Sequence, residues 1–266
     1  MTELSEGVAA LLRETANEVV LPAFRHLGRG EVFEKAPGEV VTVADRRAEE
    51  LLTAGLLDLL PGSVVVGEEA VAADAVILDR LKGAAPVWLV DPIDGTANYA
   101  AGREPFAMMI ALVHEGETTD GWIYEPIGDT LAHGRAGGGV YVDGFRVEPP
   151  YPPPVLHGAV PGKYFPAALR DRIRARATAP GVEIVRSQHC AGREYRDLLV
   201  GDRDFVMFWR TLPWDHAPGT LLVREVGGVV RRLDGSPYEV GADGHGLLAA
   251  VSEDAWLAVY AALLAR

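Results

Sequence analysis

Cysteine is almost absent from this chain of 266 residues, and so are long apolar runs. Cys190 is the single cysteine, which excludes an intrachain disulfide and a zinc site built from several thiolates. No apolar stretch is long enough to span a bilayer. Residues 1–27 carry four glutamates among their apolar side chains and lack the basic region and continuous apolar core of a secretory signal. We therefore expect a cytoplasmic protein with no membrane partner.

Basic residues are in deficit. The chain has 25 Lys and Arg against 38 Asp and Glu, a formal net charge of -13. Such a charge disfavours non-specific binding to nucleic acid or to an anionic membrane. Hydrophobic residues make up 48% of the sequence, which is enough to build a full core. The composition predicts a folded, acidic protein whose clustered carboxylates attract cations.

Two aspartates and a glycine end the apolar run 87–90, in the order Asp91-Pro-Ile-Asp94-Gly95-Thr96. A strand that stops at Asp91 delivers its carboxylates to the carboxyl edge of a sheet, where ligand sites of layered α/β proteins collect. Gly95 lets the backbone approach an anion closely, and a helix opening at Thr96 would add free N–H groups at the same place. The segment therefore predicts a site for divalent cations and a phosphate ester.

Helical and strand patterns alternate in the first half of the chain. Apolar residues at helical spacing predict one helix that ends before Gly28 and a second that runs from Asp45 to the breaker Pro61-Gly62. A short strand at 63–66 points at Glu68 and Glu69. Turn residues then separate four strands of an antiparallel meander, at 106–113, 117–124, 130–135 and 139–142.

A proline-rich run at 148–154 predicts a boundary between two halves of one compact unit. Residues 1–147 would form an N-terminal half with helices, the antiparallel sheet and most of the acids. Residues 155–266 would form a C-terminal α/β half that holds the last acid. Its predicted elements are helices near 167–177, 194–200, 215–226 and 253–265 and strands at 182–185, 205–208 and 229–233. The alternation implies helices layered on sheets.

Acids from four separated segments could gather at one metal centre. They are Asp45, the pair Glu68 and Glu69, the pair Asp91 and Asp94, and Asp215. The set contains no histidine or thiol, and an all-oxygen shell suits Mg²⁺ or Mn²⁺ rather than zinc or copper. Two or three such ions could clamp a phosphate for hydrolysis without a covalent enzyme intermediate. Taken singly, each acid could equally be a helix cap or a solvated side chain.

Four motifs together resemble the inositol monophosphatase family, whose members are Mg²⁺-dependent, lithium-sensitive phosphatases. The motifs are Val41-Thr-Val-Ala-Asp45, Val66-Gly-Glu-Glu69, Trp88-Leu-Val-Asp-Pro-Ile-Asp-Gly-Thr-Ala-Asn-Tyr99, and Trp214-Asp-His-Ala-Pro-Gly219 followed by Glu225-Val-Gly-Gly228. The resemblance runs from about Val8 to the C-terminus. It implies a five-layered αβαβα sandwich of the inositol monophosphatase and fructose-1,6-bisphosphatase type, and a homodimer.

The resemblance also implies a role for each motif residue. One Mg²⁺ would be held by Glu68, Asp91 and the Ile93 carbonyl, and a second by Asp91, Asp94 and Asp215. Thr96, oriented by Asp45, would act with Glu68 to position and deprotonate the attacking water. The Gly95 and Thr96 amides would hold phosphate oxygens. Glu69 would support this shell or a weaker third ion.

The substrate half departs from the family pattern. Phe208 stands where inositol-preferring relatives carry a glutamate that grips ring hydroxyls, and the substrate loop 187–192 is altered. Ala191 and Phe208 are candidate substrate contacts. Phe208 and Trp209 alternate along a predicted strand, so only one of them should face the pocket.

The sequence thus predicts an Mg²⁺-dependent phosphomonoesterase that acts on a small soluble phosphate ester, with inositol monophosphate as the nominal substrate. Histidinol phosphate, fructose 1,6-bisphosphate and 3′-phosphoadenosine 5′-phosphate remain alternatives. A non-catalytic metal-binding or regulatory protein is the alternative of another class.

Overall fold

The computed structural model describes residues 2–36, 38–242 and 244–265. Its α-helices are α1 Glu3–Thr15, α2 Leu21–Ala23, α3 Val43–Leu59, α4 Glu68–Ala73, α5 Thr96–Ala100, α6 Ala167–Ala175, α7 Ala191–Val200, α8 Pro213–Glu225 and α9 Glu253–Val259. Its strands are β1 Val32–Ala36, β2 Glu39–Thr42, β3 Val64–Gly67, β4 Val87–Asp94, β5 Ala107–His114, β6 Glu117–Glu125, β7 Thr130–Arg135, β8 Gly139–Val142, β9 Phe145–Arg146, β10 Leu156–Ala159, β11 Val182–Val185, β12 Phe205–Phe208, β13 Val229–Arg232 and β14 Leu247–Ala250. Short π-helical turns follow α1 and α9, and 3₁₀ segments span Ala75–Lys82 and Pro126–Gly128.

Helices α1 and α3 form the first layer. Thr42 is the N-cap of α3, and its side chain accepts bonds from the Ala44 and Asp45 amides. The Asp45 carboxylate in turn accepts a bond from the Thr42 amide, which completes a capping box. The helix therefore begins two residues before the predicted start, which places Asp45 in its first turn. Its apolar stripe, including Leu52 and Leu56, is fully buried against α1 and the neighbouring sheet.

The second layer is the larger sheet, in which the described strands follow the order β3-β4-β5-β6-β7-β8-β9. β3 and β4 are parallel, and the remaining pairs are antiparallel, as the predicted meander requires. Trp88 and Trp122 face α1 and α3, whereas Met109 and Ile123 face the opposite side. Because both faces are covered, these strands are apolar along most of their length.

The remaining layers confirm the αβαβα sandwich. Helices α7 and α8 pack against the larger sheet on one side and against the smaller sheet on the other, and the smaller sheet has the order β11-β10-β12-β14-β13. Helices α6 and α9 cover its outer face. The central helices approach closely, because a Cβ on Gly219 of α8 would lie 2.2 Å from the Tyr195 ring of α7. Within the described part of the chain, every helix is too short or too polar to cross a membrane.

The structure corrects or adds to the expected elements in four places. β4 does not stop at Asp91, since pairing with β5 continues to Asp94 across a bulge. Glu68 and Glu69 open the helix α4. The hairpin β1–β2 was not predicted, because its two short strands show no regular alternation of apolar and polar residues. Strands β10 and β14 were missed because short runs such as 247–250 have no distinguishing period.

The proline-rich run connects the two sheets without regular structure. The chain leaves the larger sheet at β9 and enters the smaller one at β10. Met109 and Ile123 of the larger sheet share a core with Tyr195 and Leu222 of the C-terminal helices. The acids of both halves are therefore carried by elements that share one hydrophobic core.

Candidate metal and phosphate site

Three carboxylates from separate segments converge between the sheets. Glu68, Asp91 and Asp215 each offer an oxygen, and these atoms all lie within 4.8 Å of one another. The parallel pairing of β3 with β4 sets the start of α4 beside Asp91, and α8 brings Asp215 to the same place within its first turn. A set of three carboxylate oxygen donors, of which that of Asp91 is buried, fits a hard divalent cation such as Mg²⁺.

The electrostatics of the cluster also fit a cation. Burial raises the pKa of Asp91 and of Asp215 well above the usual carboxyl value, and the neighbouring charge of Glu68 raises both further. Like charges held together away from water are costly unless a counter-charge joins them. A divalent ion at this point would supply that charge.

Asp94 lies next to this group and is partly committed to other partners. Its Oδ2 accepts a bond from the Gly192 amide at 2.7 Å and from the Cys190 thiol at 3.0 Å. Burial raises the pKa of Asp94, and these two donors oppose that rise. Cys190 therefore helps to orient Asp94, a predicted metal ligand.

Sequence reasoning missed Lys35. Its Nζ contacts Glu68 and lies 2.7 Å from Glu69 Oε1. Burial works against its charge, but the two glutamates outweigh burial and raise the pKa of Lys35. Lys35 lies on β1, a strand that has no clear sequence pattern. The sequence therefore did not predict its contact with acids more than thirty positions away.

A hydroxyl and a carboxylate stand beside the metal group. Thr96 Oγ1 lies 3.1 Å from Asp45 Oδ1 and 2.8 Å from the Ile93 carbonyl oxygen. The other Asp45 oxygen accepts bonds from the amide and the hydroxyl of Thr42. Burial raises the pKa of Asp45 to about 7. The structure thus brings Asp45, Thr96 and Ile93 together as the motifs predicted.

Gly95 has the backbone conformation that its place requires. Its φ of 82° lies in the left-handed region, and a Cβ would meet Pro105 O at 3.1 Å and Cys190 Cβ at 3.2 Å. The amides of Asn98 and Tyr99 both donate to Gly95 O, so the Thr96 amide precedes the first helical bonds of α5. That amide is available to an anion.

A second missed residue, Glu49, supports the start of α4. Its Oε2 accepts a bond from the Glu69 amide and its Oε1 from the Ala70 amide, each at 2.8 Å. The helix N-cap is Gly67, which has no side chain to perform this task. Burial raises the pKa of Glu49 to about 7. Glu69 itself faces Lys35 rather than the three-carboxylate group.

A cavity of about 300 Å³ opens over these residues. Ala191, Phe208 and Trp209 all line it, so the expectation that only one of the two aromatic residues faces the pocket was wrong. Because β12 ends at Phe208, Trp209 lies outside the strand, and its side chain need not point to the opposite face from that of Phe208. Phe208 also stacks on Tyr195, with ring centroids 5.2 Å apart.

The rim of the cavity carries two cations. Arg210 pairs with Glu39 of β2, and Lys163 Nζ lies 2.7 Å from Gly38 O. Tyr164 lies under both cations. A second depression of about 600 Å³ shares Lys35 and Glu69 with the site. Because Asp91, Asp94 and Asp215 line only the first of these two, we assign the chemistry to the 300 Å³ cavity.

Comparisons with known proteins agree on one family. The sequence model described as "Inositol monophosphatase family" matches residues 1–265. An inositol-1-monophosphatase of Bacillus subtilis is 30% identical over 216 residues, which cover 80% of this chain and 79% of the relative. A protein of Thermotoga maritima named fructose-1,6-bisphosphatase/inositol-1-monophosphatase is 28% identical, covering 85% and 83%. The crystal structure of the extragenic suppressor protein suhB of Bartonella henselae superposes with a TM-score of 0.83 at 23% identity, covering 99% of both chains.

Proposed function

This chain belongs to the inositol monophosphatase family and is a phosphatase, and from that premise we propose that it hydrolyses a small phosphate monoester with the help of Mg²⁺. The nominal substrate is inositol monophosphate. The convergence of Glu68, Asp91 and Asp215 within 4.8 Å carries the proposal, because these residues come from distant parts of the chain and meet in one cavity.

The proposed metal ligands are Glu68, Asp91, Asp94, Asp215 and the Ile93 carbonyl. Family membership implies that Asp91 would be shared by two ions. Bound there, Mg²⁺ would neutralise phosphate charge and make a coordinated water more acidic. Glu69 and Lys35 would balance charge at the edge of the group, where they already pair.

Thr96 and Asp45 would orient the attacking water. When the Thr96 hydroxyl donates its hydrogen bond to Asp45, its oxygen lone pairs can accept a hydrogen bond from a water and so fix that water's position. Glu68 would accept the proton that the water loses. The Gly95 and Thr96 amides would hold phosphate oxygens, an interaction that strengthens as charge develops in the transition state.

Further parts of the proposal rest on family membership. They are two or three Mg²⁺ ions during turnover with Mn²⁺ as a substitute, inhibition by lithium, a homodimer and a cytoplasmic location. Histidinol phosphate, fructose 1,6-bisphosphate and 3′-phosphoadenosine 5′-phosphate are the other candidate substrates. The relative named fructose-1,6-bisphosphatase/inositol-1-monophosphatase supports testing the bisphosphate alongside inositol monophosphate.

Phosphate release tests the proposal directly. The purified chain would be assayed with these four esters and simple sugar phosphates, in Mg²⁺ and in chelator. We expect hydrolysis of at least one ester, lost with chelator and restored by Mg²⁺. If a folded, Mg²⁺-binding protein released no phosphate from any of these esters, the result would favour the non-catalytic metal-binding alternative.

Asp91→Asn is the variant that tests the metal assignment. It removes one charge from the proposed shared ligand, so we expect phosphate release to fall by at least about a thousandfold. Asp58→Asn is the matched control, because Asp58 is exposed on α3 outside the cavity. Near-normal turnover by Asp91→Asn would refute the assignment.

A further inference from the structure

His189 holds a backbone conformation that favours glycine. Its φ is 57°, in the left-handed region that non-glycine residues enter at a cost. It lies in the loop 186–190 that precedes α7, directly on the predicted phosphate segment. A Cβ on Gly95 would be 3.4 Å from His189 O.

The loop is tied down on both sides of His189. On one side the Gln188 amide donates to Glu194 Oε1 at 2.7 Å, and Asn98 Nδ2 donates to the Gln188 carbonyl at 2.9 Å. On the other side Cys190 and Gly192 bind Asp94. These contacts hold position 189 in the left-handed backbone conformation whichever residue occupies it. Glycine would adopt that conformation with less strain than histidine.

The imidazole itself has no partner that explains its presence. His189 is exposed, and among the described residues its ring takes part in no hydrogen bond, ion pair or ring contact. It lines the same cavity as Asp91 and Thr96. Across that cavity Phe208 and Trp209 present apolar rings. The oxygen atoms of a bound alcohol therefore need a polar partner from another wall.

We propose that His189 is a specificity-determining residue that contacts the alcohol portion of the substrate. A ring nitrogen hydrogen-bonds an oxygen of that portion, either a hydroxyl or an anionic oxygen, beside the phosphate that is removed. This assignment rests on the proposed phosphatase reaction. The His189 hydrogen bond would supply part of the polar contact to the substrate that an apolar residue such as Phe208 cannot make.

His189→Gly tests the assignment without endangering the fold. Glycine adopts the left-handed conformation freely, so we expect Tm to be kept or raised. Glu115→Gly is the matched control, since Glu115 also has a positive φ, 52°, and is exposed in the turn between β5 and β6, away from the cavity. His189→Asn tolerates the same backbone and keeps a hydrogen-bonding side chain.

The readout is kcat/KM for each ester of the phosphate-release panel, with saturating Mg²⁺. For the best substrate we expect His189→Gly to lower kcat/KM about tenfold or more, mainly through KM, and to reduce its advantage over the next ester. His189→Asn should recover part of the loss, and Glu115→Gly should match the wild type. If the change of rate is the same on all esters, substrate recognition by His189 is refuted.

Unchanged kinetics in His189→Gly, with an active wild type, would overturn the inference and leave the phosphatase proposal standing. A wild type that hydrolyses no ester would instead overturn the proposed function, and this inference with it. The two failures are therefore distinguishable in one experiment.

Discussion

The Asp94 carboxylate accepts hydrogen bonds from neighbouring residues and is also a proposed metal ligand. Its Oδ2 accepts bonds from the Cys190 thiol and the Gly192 amide, and the proposed cation would bind the same carboxylate. Cys190 lies in the loop that forms one wall of the cavity, and Gly192 lies in the first turn of α7. The conformation of this loop and the orientation of the proposed metal ligand are thereby coupled.

Replacing Cys190 should weaken metal binding without removing a ligand. In Cys190→Ala, Asp94 loses one donor to Oδ2, and we expect the Mg²⁺ concentration for half-maximal activity to rise about tenfold. Cys190→Ser keeps a donor and should remain near the wild type. Measuring the Mg²⁺ dependence of phosphate release and Tm in both variants separates orientation from packing. Equal defects in the alanine and serine variants would assign Cys190 to packing alone.

Phe208→Glu restores the residue type that the family resemblance associates with inositol. The carboxylate should raise kcat/KM for inositol monophosphate relative to the other esters, because it can accept bonds from ring hydroxyls. Phe208→Leu is the control, since it removes the ring stacked on Tyr195 without adding an acceptor. Tm should fall in both variants. An unchanged order of preference would take Phe208 out of the specificity argument.

At the scale of elements, α4 depends on a residue of α3. The free amides at its start are satisfied by Glu49, while its N-cap Gly67 leaves room for that carboxylate: a Cβ there would lie 2.3 Å from Glu49 Cδ. Because α4 begins with Glu68, the α3–α4 contact also sets the direction of a proposed metal ligand.

We expect Glu49→Ala to reduce the free energy of unfolding by about 1 kcal/mol, since two partly buried N–H groups lose their acceptor. It should also raise the Mg²⁺ requirement through the displacement of Glu68. Glu50→Ala is a close control, because Glu50 is exposed and, among the described residues, pairs with Arg47 alone, across one helical turn. Denaturant unfolding and Mg²⁺ titration measure both effects. A Glu49 variant as stable as the Glu50 variant would contradict this role.

The elements differ in how far the sequence predicts them. The meander strands were found within two residues because Gly and Asp turns interrupt strongly apolar runs. β10 and β14 were not found, since they pair with strands elsewhere in the chain, and β1 and β2 were not found because these short strands show no regular apolar alternation. The hairpin β1–β2 nevertheless delivers Lys35 and Glu39 to the site.

At the scale of the whole molecule, the buried acids couple stability to pH and to metal. Burial raises the pKa of Asp45 and of Glu49 to about 7, and it raises the pKa of Asp91 and of Asp215 as well. Between their ordinary values and these raised values, the folded metal-free chain holds protons that the unfolded chain has lost. Its stability therefore falls as the pH rises toward and through about 7.

Two buried histidines act in the opposite direction at lower pH. Burial lowers the pKa of His133 and of His216 to about 4, from 6.5. Their contribution to stability falls as the pH drops from 6.5 toward 4, because only the unfolded chain then takes up the proton. Above about 6.5 they are neutral in both states, so the acids govern that range.

We accordingly expect Tm of the metal-free protein to fall between pH 6.5 and pH 8. Mg²⁺ should raise Tm, and by more at pH 8 than at pH 6.5, because bound metal needs deprotonated ligands. Asp91→Asn should reduce both the fall and the gain. Thermal unfolding with Mg²⁺ or chelator at the two pH values is the measurement. A gain from Mg²⁺ that is larger at pH 6.5 would be inconsistent with this cluster as the site.

The sequence by itself determined the family, the layered α/β architecture and the identity of the acidic set. These properties depend on local patterns: apolar periodicity for α1 and α3, turn residues for the meander, and the spacing of Asp91, Asp94, Gly95 and Thr96. Each pattern can be recognised within about twenty residues.

Only the tertiary structure decided which side chains serve those acids. Lys35 meets Glu68, Glu49 receives the Glu69 amide, and Cys190 donates to Asp94 across 33, 20 and 96 positions of sequence. The ring of His189, which has no partner in the part of the chain that the structure describes, likewise lies in a loop fixed by contacts from Asn98 and Glu194. Contacts of this range follow from how the layers pack, and a local pattern carries no information about them because each partner is an ordinary residue in its own segment.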